Sequence, residues 1–463
     1  MIRYGNLRWM LLFLLLVEGN ANSLFNSPIL TADASYNSYK FNILHHLTAI
    51  SPYFESDTNE LNPGLPIGCT VDKVVYLVRH GSIYANDYDY EHTIDPFLKR
   101  FQSSLSQIDF SRSQEFAFLQ SWNSPISDPN EQLEKLTKSG RLEAFHLGTQ
   151  LAYRYRNIIP DNLDASFKIW ASSSNRTKQS ASSILSGLSG KEKTVDDVSL
   201  INEEKNQGAN TLSPTKTCSK FNISSGSEQA NIWLEHYTSS IITRLNNRIS
   251  GFQFSANDIL AMQELCGYET VIRGSSPFCQ IFTSDEWLSF EYYFDIKYYY
   301  SFGYGSYLSA SLGMPWVVAS SELLNETVTT NQNLYINVVH REMLPLVLTA
   351  LDLYNDSNEN PTFPLDRINY RRAWRSSQFV PFLGHIALER LQCASSSYNG
   401  KFIRILVNSA PQPLPGCEKG PGASCPLTQF MDYIKNRDDL HDDFSKACQV
   451  NYENSTDVFT FFP

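Results

Sequence analysis

Five strand-forming residues, Val74-Val75-Tyr76-Leu77-Val78, run without a break into Arg79-His80-Gly81, and this stretch restricts the fold more than any other. An unbroken β-branched and aromatic run predicts a buried strand, and the glycine marks the turn that ends it. In open α/β sheets ligands bind outside the carboxyl ends of the strands. An Arg-His pair at such an end is therefore a candidate anion site, with Arg79 fixing the anion and His80 reaching it. The competing reading is a strand end whose two polar residues face water.

Two further stretches share this pattern. Phe167-Lys168-Ile169-Trp170-Ala171-Ser172 predicts a short strand that breaks into Ser173-Ser174-Asn175-Arg176-Thr177, after which Gln179 to Leu188 is helical. Leu334 to Val339 predicts another, ending on His340-Arg341-Glu342 before the apolar helical pattern Leu344 to Tyr354. Strands are also expected at Ser377 to Phe382 and Phe402 to Val407, and a short helix near Phe41 to Thr48. Thr137 caps a predicted helix that continues to Tyr155, with Leu147, Leu151 and Tyr155 on one face; this is packing rather than chemistry.

From about 190 to 330 the strand signals thin out and helical, aromatic-rich segments take over, among them Ala230 to Asn246, Ala256 to Cys266 and Thr283 to Tyr299. The fold class is thus α/β: a mixed central sheet flanked by helices, with a largely α-helical inserted cap. Residues 23–189 and 331–463 form the α/β catalytic domain and 190–330 the insertion. A chain of 463 residues exceeds the roughly 250–300 at which one core stops growing, which agrees with this division.

The compartment is legible at the N-terminus. Arg3 and Arg8 precede the apolar run Trp9 to Val17, followed by small and polar residues around Gly19 and Ala21, so residues 1–22 read as a secretory signal peptide. That run is too short for a membrane span, which needs about 20 apolar residues. Eight cysteines in an exported chain imply disulfides, and without a Cys-x-x-Cys pair a zinc site is not expected. Sequons at Asn175, Asn222, Asn325, Asn355 and Asn454 suit a secreted glycoprotein, extracellular or in a cell wall. Asn175 adjoins Arg176, where a glycan would crowd the crevice, so it is expected to be unmodified. A net charge of -11 without a basic tract argues against nucleic acid as a partner.

If the three strand ends are neighbours, they bring together arginines, histidines and a carboxyl group, sufficient for phosphomonoester hydrolysis with no metal and no cofactor. Guanidinium forks match phosphate oxygens and stabilise charge on the transferring group. An imidazole can attack phosphorus and form a phospho-enzyme. A protonated carboxyl can then give its proton to the departing alcohol.

With these residues in place, the chain resembles the histidine acid phosphatase family (histidine phosphatase superfamily, branch 2), in particular its fungal secreted acid phosphatases and phytases. Arg79-His80-Gly81 matches the first half of the Arg-His-Gly-x-Arg-x-Pro signature. Thr137 to Gly140, Arg176-Thr177 with Ser180-Ala181, Phe278 to Thr283, Gly303-Tyr304-Gly305 and Glu389 to Cys393 follow in the family's order, over roughly Cys69 to Cys448. The resemblance implies a phosphoglycerate mutase-like sheet, His80 as the nucleophile, and Arg79, Arg176 and His340 as phosphate ligands. It implies Glu342 as proton donor, because one branch carries His-x-Glu where most members have His-Asp. It also implies disulfides Cys69–Cys393, Cys218–Cys448, Cys266–Cys279 and Cys417–Cys425.

The signature's second arginine and its proline are replaced by Ile83 and Ala85. Loss of one charge-assisted fork costs about 1.5–3 kcal/mol. Arg341 is the candidate substitute. The expected function is a secreted acid phosphatase acting on small phosphomonoesters through a phosphohistidine; the alternative is a catalytically weakened member that binds a phospholigand or serves at the cell surface.

Overall fold

The computed structural model describes residues 41–56, 61–160, 163, 166–325, 332–356, 362–450, 452–453 and 455–462. The expected signal peptide and the sequon at Asn454 lie outside the described residues.

Eight strands form one sheet: β1 (Cys69–Arg79), β2 (Ile169–Ser172), β3 (Ser199–Ile201), β4 (Leu334–Val339), β5 (His385–Ala394), β6 (Asn399–Val407), β7 (Ala410–Pro411) and β8 (Cys425–Pro426). Their order is β3-β2-β4-β1-β5-β6-β7, with β8 paired to β6. The pairs β3/β2, β2/β4 and β4/β1 are parallel, whereas β1/β5 and the pairs beyond it are antiparallel, so the sheet is mixed as expected. The register sets Arg79 beside Val339 and Ala171 beside Val338. Three neighbouring strands thus finish level, and the segments after them share one crevice.

Both faces of the parallel half are covered, which is why its strands read as continuous apolar runs. Val74, Tyr76 and Val78 pack with Ile336 and Val338 beneath helices Lys138–Arg154 and Asn175–Ser189. Val75 and Leu77 face the opposite core, which also holds Trp233, Phe290 and Trp316 from the helices between β3 and β4. Those helices are Ser227–Asn246, Ala256–Arg273, Ser284–Phe302 and Ser309–Asn325. The last was not anticipated. It lies against the sheet, with Trp316 Nε1 donating to Asn337 Oδ1 at 2.7 Å.

Helices Lys138–Arg154 and Asn175–Ser189 cross at two glycines. A Cβ on Gly148 would collide with the carbonyl of Ile184, and one on Gly187 with the carbonyl of Phe145, so only glycine permits this closeness.

One strand expectation is corrected. Ser377 to Phe382 is not a strand: Ser376–Gln378 is a 3-10 turn, and the Ser376 N–H and hydroxyl donate to Asp295 at 2.6 and 2.7 Å. Its polar groups are satisfied by helix Ser284–Phe302 and need no neighbouring strand. The strand that does exist, β5, is interrupted in sequence by Glu389 and Arg390. Buried Glu389 is nonetheless compensated by Arg404 at 2.6 Å, Arg154 at 3.0 Å and the Tyr155 hydroxyl at 2.7 Å.

All four disulfides are the pairs that the resemblance implies. Among the described residues no helix is long and apolar enough to cross a membrane.

Candidate active site

His80 follows the last residue of β1, and its turn is clamped from two sides. Its peptide N–H donates to the Val339 carbonyl at 2.9 Å, and the Gly81 N–H donates to Ser180 Oγ at 2.9 Å. A Cβ on Gly81 would stand 2.6 Å from the Gly140 carbonyl oxygen, and one on Gly140 would collide with Ser82, so the turn and the start of helix Lys138–Arg154 touch backbone to backbone. Thr137 holds that contact: its N–H and its hydroxyl both reach the Ser82 carbonyl, at 2.9 and 3.1 Å, while the hydroxyl accepts from Gly140 N at 2.9 Å. The Thr-x-x-Gly stretch read as packing is therefore the mount of the His80 turn.

His80 Nδ1 lies 2.9 Å from the Gly81 carbonyl oxygen, which can only accept, so Nδ1 carries the proton and Nε2 the lone pair. Arg176 Nε donates to that lone pair at 3.2 Å. Burial first, then Arg79, Arg176 and His340, hold the imidazole well below the usual histidine pKa. The downward shift favours the neutral imidazole, the state a nucleophile requires.

Arg79 is 2 % exposed and stacks on Phe382 at 4.3 Å. Its Nη1 donates to the carbonyls of Ala49 and Val380 at 2.5 and 2.6 Å. Its buried Nε has no partner among the described residues. Burial lowers its pKa to about 10, so it remains cationic. His340 stands edge-on to His80, ring centres 5.9 Å apart. Its Nε2 contacts Glu203 Oε1 at 3.2 Å, and its Nδ1 is buried without a partner among the described residues. A buried orphan atom facing no protein acceptor is what a ligand site leaves behind.

Glu342 precedes helix Met343–Ala350. Burial raises its carboxyl pKa, but Arg341 and His340 outweigh that, and the net shift is downward. Arg341 does not point outward into solvent. Its side chain is 18 % exposed, with Nε 3.2 Å from Glu342 Oε1 and Nη1 3.8 Å from Asp89 Oδ2, and its charge acts on both Arg79 and Arg176. Ile83, by contrast, is buried in the core and bridges to Leu136. The five predicted site residues are therefore assembled at one place, with Arg341 as a sixth.

Three further carboxylates surround these residues, of which Glu134 and Glu203 escaped the sequence reading. Glu134 is ion-paired to Arg176 and also accepts from Asn86 Nδ2 at 2.7 Å. Glu203 holds His340 and accepts from Ser173 Oγ at 2.9 Å and Lys216 Nζ at 2.9 Å. Asp89 accepts from the Tyr268 hydroxyl at 2.6 Å. Glu203 follows β3 and so obeyed the strand-end rule; Glu134 sits in a polar loop at φ 63° and carried no signal.

Such a set, two histidines and three guanidinium groups at the carboxyl ends of adjacent parallel strands, defines an anion-handling α/β protein. The family model of the histidine phosphatase superfamily (branch 2) matches residues 70–408, and the chain belongs to that superfamily. A repressible acid phosphatase of Kluyveromyces lactis is 30% identical over 414 residues, 86% of this chain and 84% of that protein. A phytase of Candida albicans is 29% identical over 439 residues, 93% of this chain and 92% of that protein. The crystal structure of the phytase from D. castellii superposes with a TM-score of 0.81 at 22% identity, covering 92% of both chains, and so shares the fold.

Proposed function

We propose that the protein is an acid phosphatase that hydrolyses small phosphate monoesters through a phosphohistidine on His80. The observation that carries this reading is the state of His80: Nδ1 is locked onto the Gly81 carbonyl, and Nε2 turns its lone pair toward Arg176. Arg79, Arg176 and His340 hold the phosphate oxygens. His80 Nε2 attacks phosphorus, the P–O bond to the alcohol breaks, and the leaving oxygen takes the Glu342 proton. The Glu342 carboxylate then accepts a proton from water as that water attacks phosphorus, the P–N bond breaks, and phosphate is released.

The acid optimum follows from Glu342. Its pKa is low in the empty site, and an arriving phosphate adds negative charge that raises it, so the donor form is populated in acid. The cations lower both groups, so it is the negative charge of the bound phosphate beside Glu342 that restores its donor form. The leader at 1–22, the four disulfides and the exposed sequon asparagines Asn325 and Asn355 support export, and the helices between β3 and β4 support a capped catalytic domain.

The weakened-member reading draws on one observation, the Glu134 carboxylate on Arg176. The deciding measurement is a rapid quench into alkaline denaturant, in which a phosphohistidine survives, during turnover of a labelled phosphomonoester. Label is expected on the peptide containing His80 in the parent and absent in His80→Ala. A parent that releases no phosphate at any pH from acidic to mildly alkaline sinks the enzymatic reading.

A further inference from the structure

If Glu342 protonates the leaving oxygen, the alcohol must lie on the side of the site that Glu342 faces. That side is a cavity of about 390 Å³, bordered by Arg176, His340 and Glu342 where it meets the phosphate ligands. This is within the roughly 300–1,000 Å³ range of small-molecule sites. Most of the remaining lining is apolar: Leu212, Pro214, Phe221, Ile223, Met343 and Leu346.

The one lysine on the wall and two of its other polar side chains are already engaged. Lys216 Nζ is 2.9 Å from Glu203 Oε2, Ser213 Oγ donates to Glu203, and Asn222 Oδ1 accepts from Ser224 N at 3.0 Å. Arg176 is committed to the transferring phosphate. A second phosphate on the alcohol would therefore meet a lysine already paired to Glu203, the Glu342 carboxyl and hydrocarbon, losing water with no unpaired cation to replace it. An aromatic ring would bury apolar area against Phe221 and Ile223.

We propose that this cavity receives the alcohol, and that it selects monophosphate esters of flat, apolar alcohols over esters bearing several phosphates. The inference rests on the phosphatase reading and adds the substrate class to it.

The test compares 1-naphthyl phosphate with inositol hexakisphosphate in the parent, in Ile223→Lys and in Leu440→Lys. Ile223 is 52% exposed and Leu440 is 70% exposed outside the cavity, so neither lysine need be buried. The parent is expected to favour the naphthyl ester at least tenfold in kcat/KM. Ile223→Lys should narrow that ratio about tenfold, mainly through KM, and Leu440→Lys should not change it. A parent that favours the hexakisphosphate, or an Ile223→Lys ratio equal to the parent's, overturns the proposal. Release of phosphate from neither ester would instead overturn the phosphatase reading. Calorimetric binding then decides the cavity alone: tighter binding of 1-naphthyl phosphate to the parent than to Ile223→Lys supports it, and equal affinity overturns it.

Discussion

Glu134 is ion-paired to Arg176, so an arginine read as a phosphate ligand already holds a carboxylate. An incoming phosphate has to displace that carboxylate or bind beside it, and like charges close together are costly. Glu134→Gln removes the competing charge and keeps the loop's hydrogen bonds to Asn86. The inhibition constant of inorganic phosphate near neutral pH is expected to fall by about tenfold, the scale of one charge-assisted hydrogen bond. An unchanged constant would mean that Glu134 is a spectator.

The donor role of Glu342 has a leaving-group signature. Glu342→Gln cannot supply a proton, and general acid catalysis is worth about 10²–10⁴ in rate. The loss should be large for alkyl phosphates, whose alkoxide leaves poorly, and small for nitrophenyl phosphates. Equal losses for both would assign the proton to another group.

Arg341 and Ile83 separate in their effects. Arg341→Ala should weaken inorganic phosphate by about ten- to a hundredfold, the cost of one charge-assisted fork. Restoring the signature by Ile83→Arg should fail, because Ile83 is 3% exposed and a guanidinium there is a buried charge without a partner. Thermal unfolding of Ile83→Arg is expected well below the parent. A stable and more active Ile83→Arg would show that the loop can turn its side chain into the crevice.

Burial of His385 lowers its pKa from 6.5 to about 4. Above pH 6.5 neither folded nor unfolded chain binds its proton; between 6.5 and 4 only the unfolded chain does. Stability therefore falls as pH drops through that window, by about 3 kcal/mol at most from this group. Glu389, held at about 2 with burial opposed by Arg404 and Arg154, adds a loss of similar sign below pH 4.5. Denaturant unfolding of His385→Phe at pH 7 and pH 5 should show a shallower decline than the parent. Parallel declines would place the acid sensitivity elsewhere.

The site was legible wherever chemistry coincided with a strand end. Arg79-His80, Arg176 and His340 each follow an apolar run, and the order β2-β4-β1 makes those runs neighbours. Glu203 obeyed the same rule, but β3 is only three residues long and too short to be seen. Glu134 reaches the site from a loop and Asp89 from the short helix Asp87–Asp89, through tertiary contacts that no local pattern encodes. β5 was hidden because Glu389 and Arg390 break its apolar run, and their compensation comes from residues on other elements. The resemblance supplied what spacing could not, namely the cysteine pairing.

Helix Lys138–Arg154 mounts the His80 turn at Gly140, and helix Asn175–Ser189 opens with Arg176; the two are pressed together at Gly148 and Gly187. Gly148 is eight residues beyond Gly140, about 12 Å along the helix. The spacing between nucleophile and guanidinium is thus gauged at a distant joint between helix backbones. Any methyl group added there would pry the pair apart, and the resulting allele would look like a catalytic lesion while every catalytic residue was present.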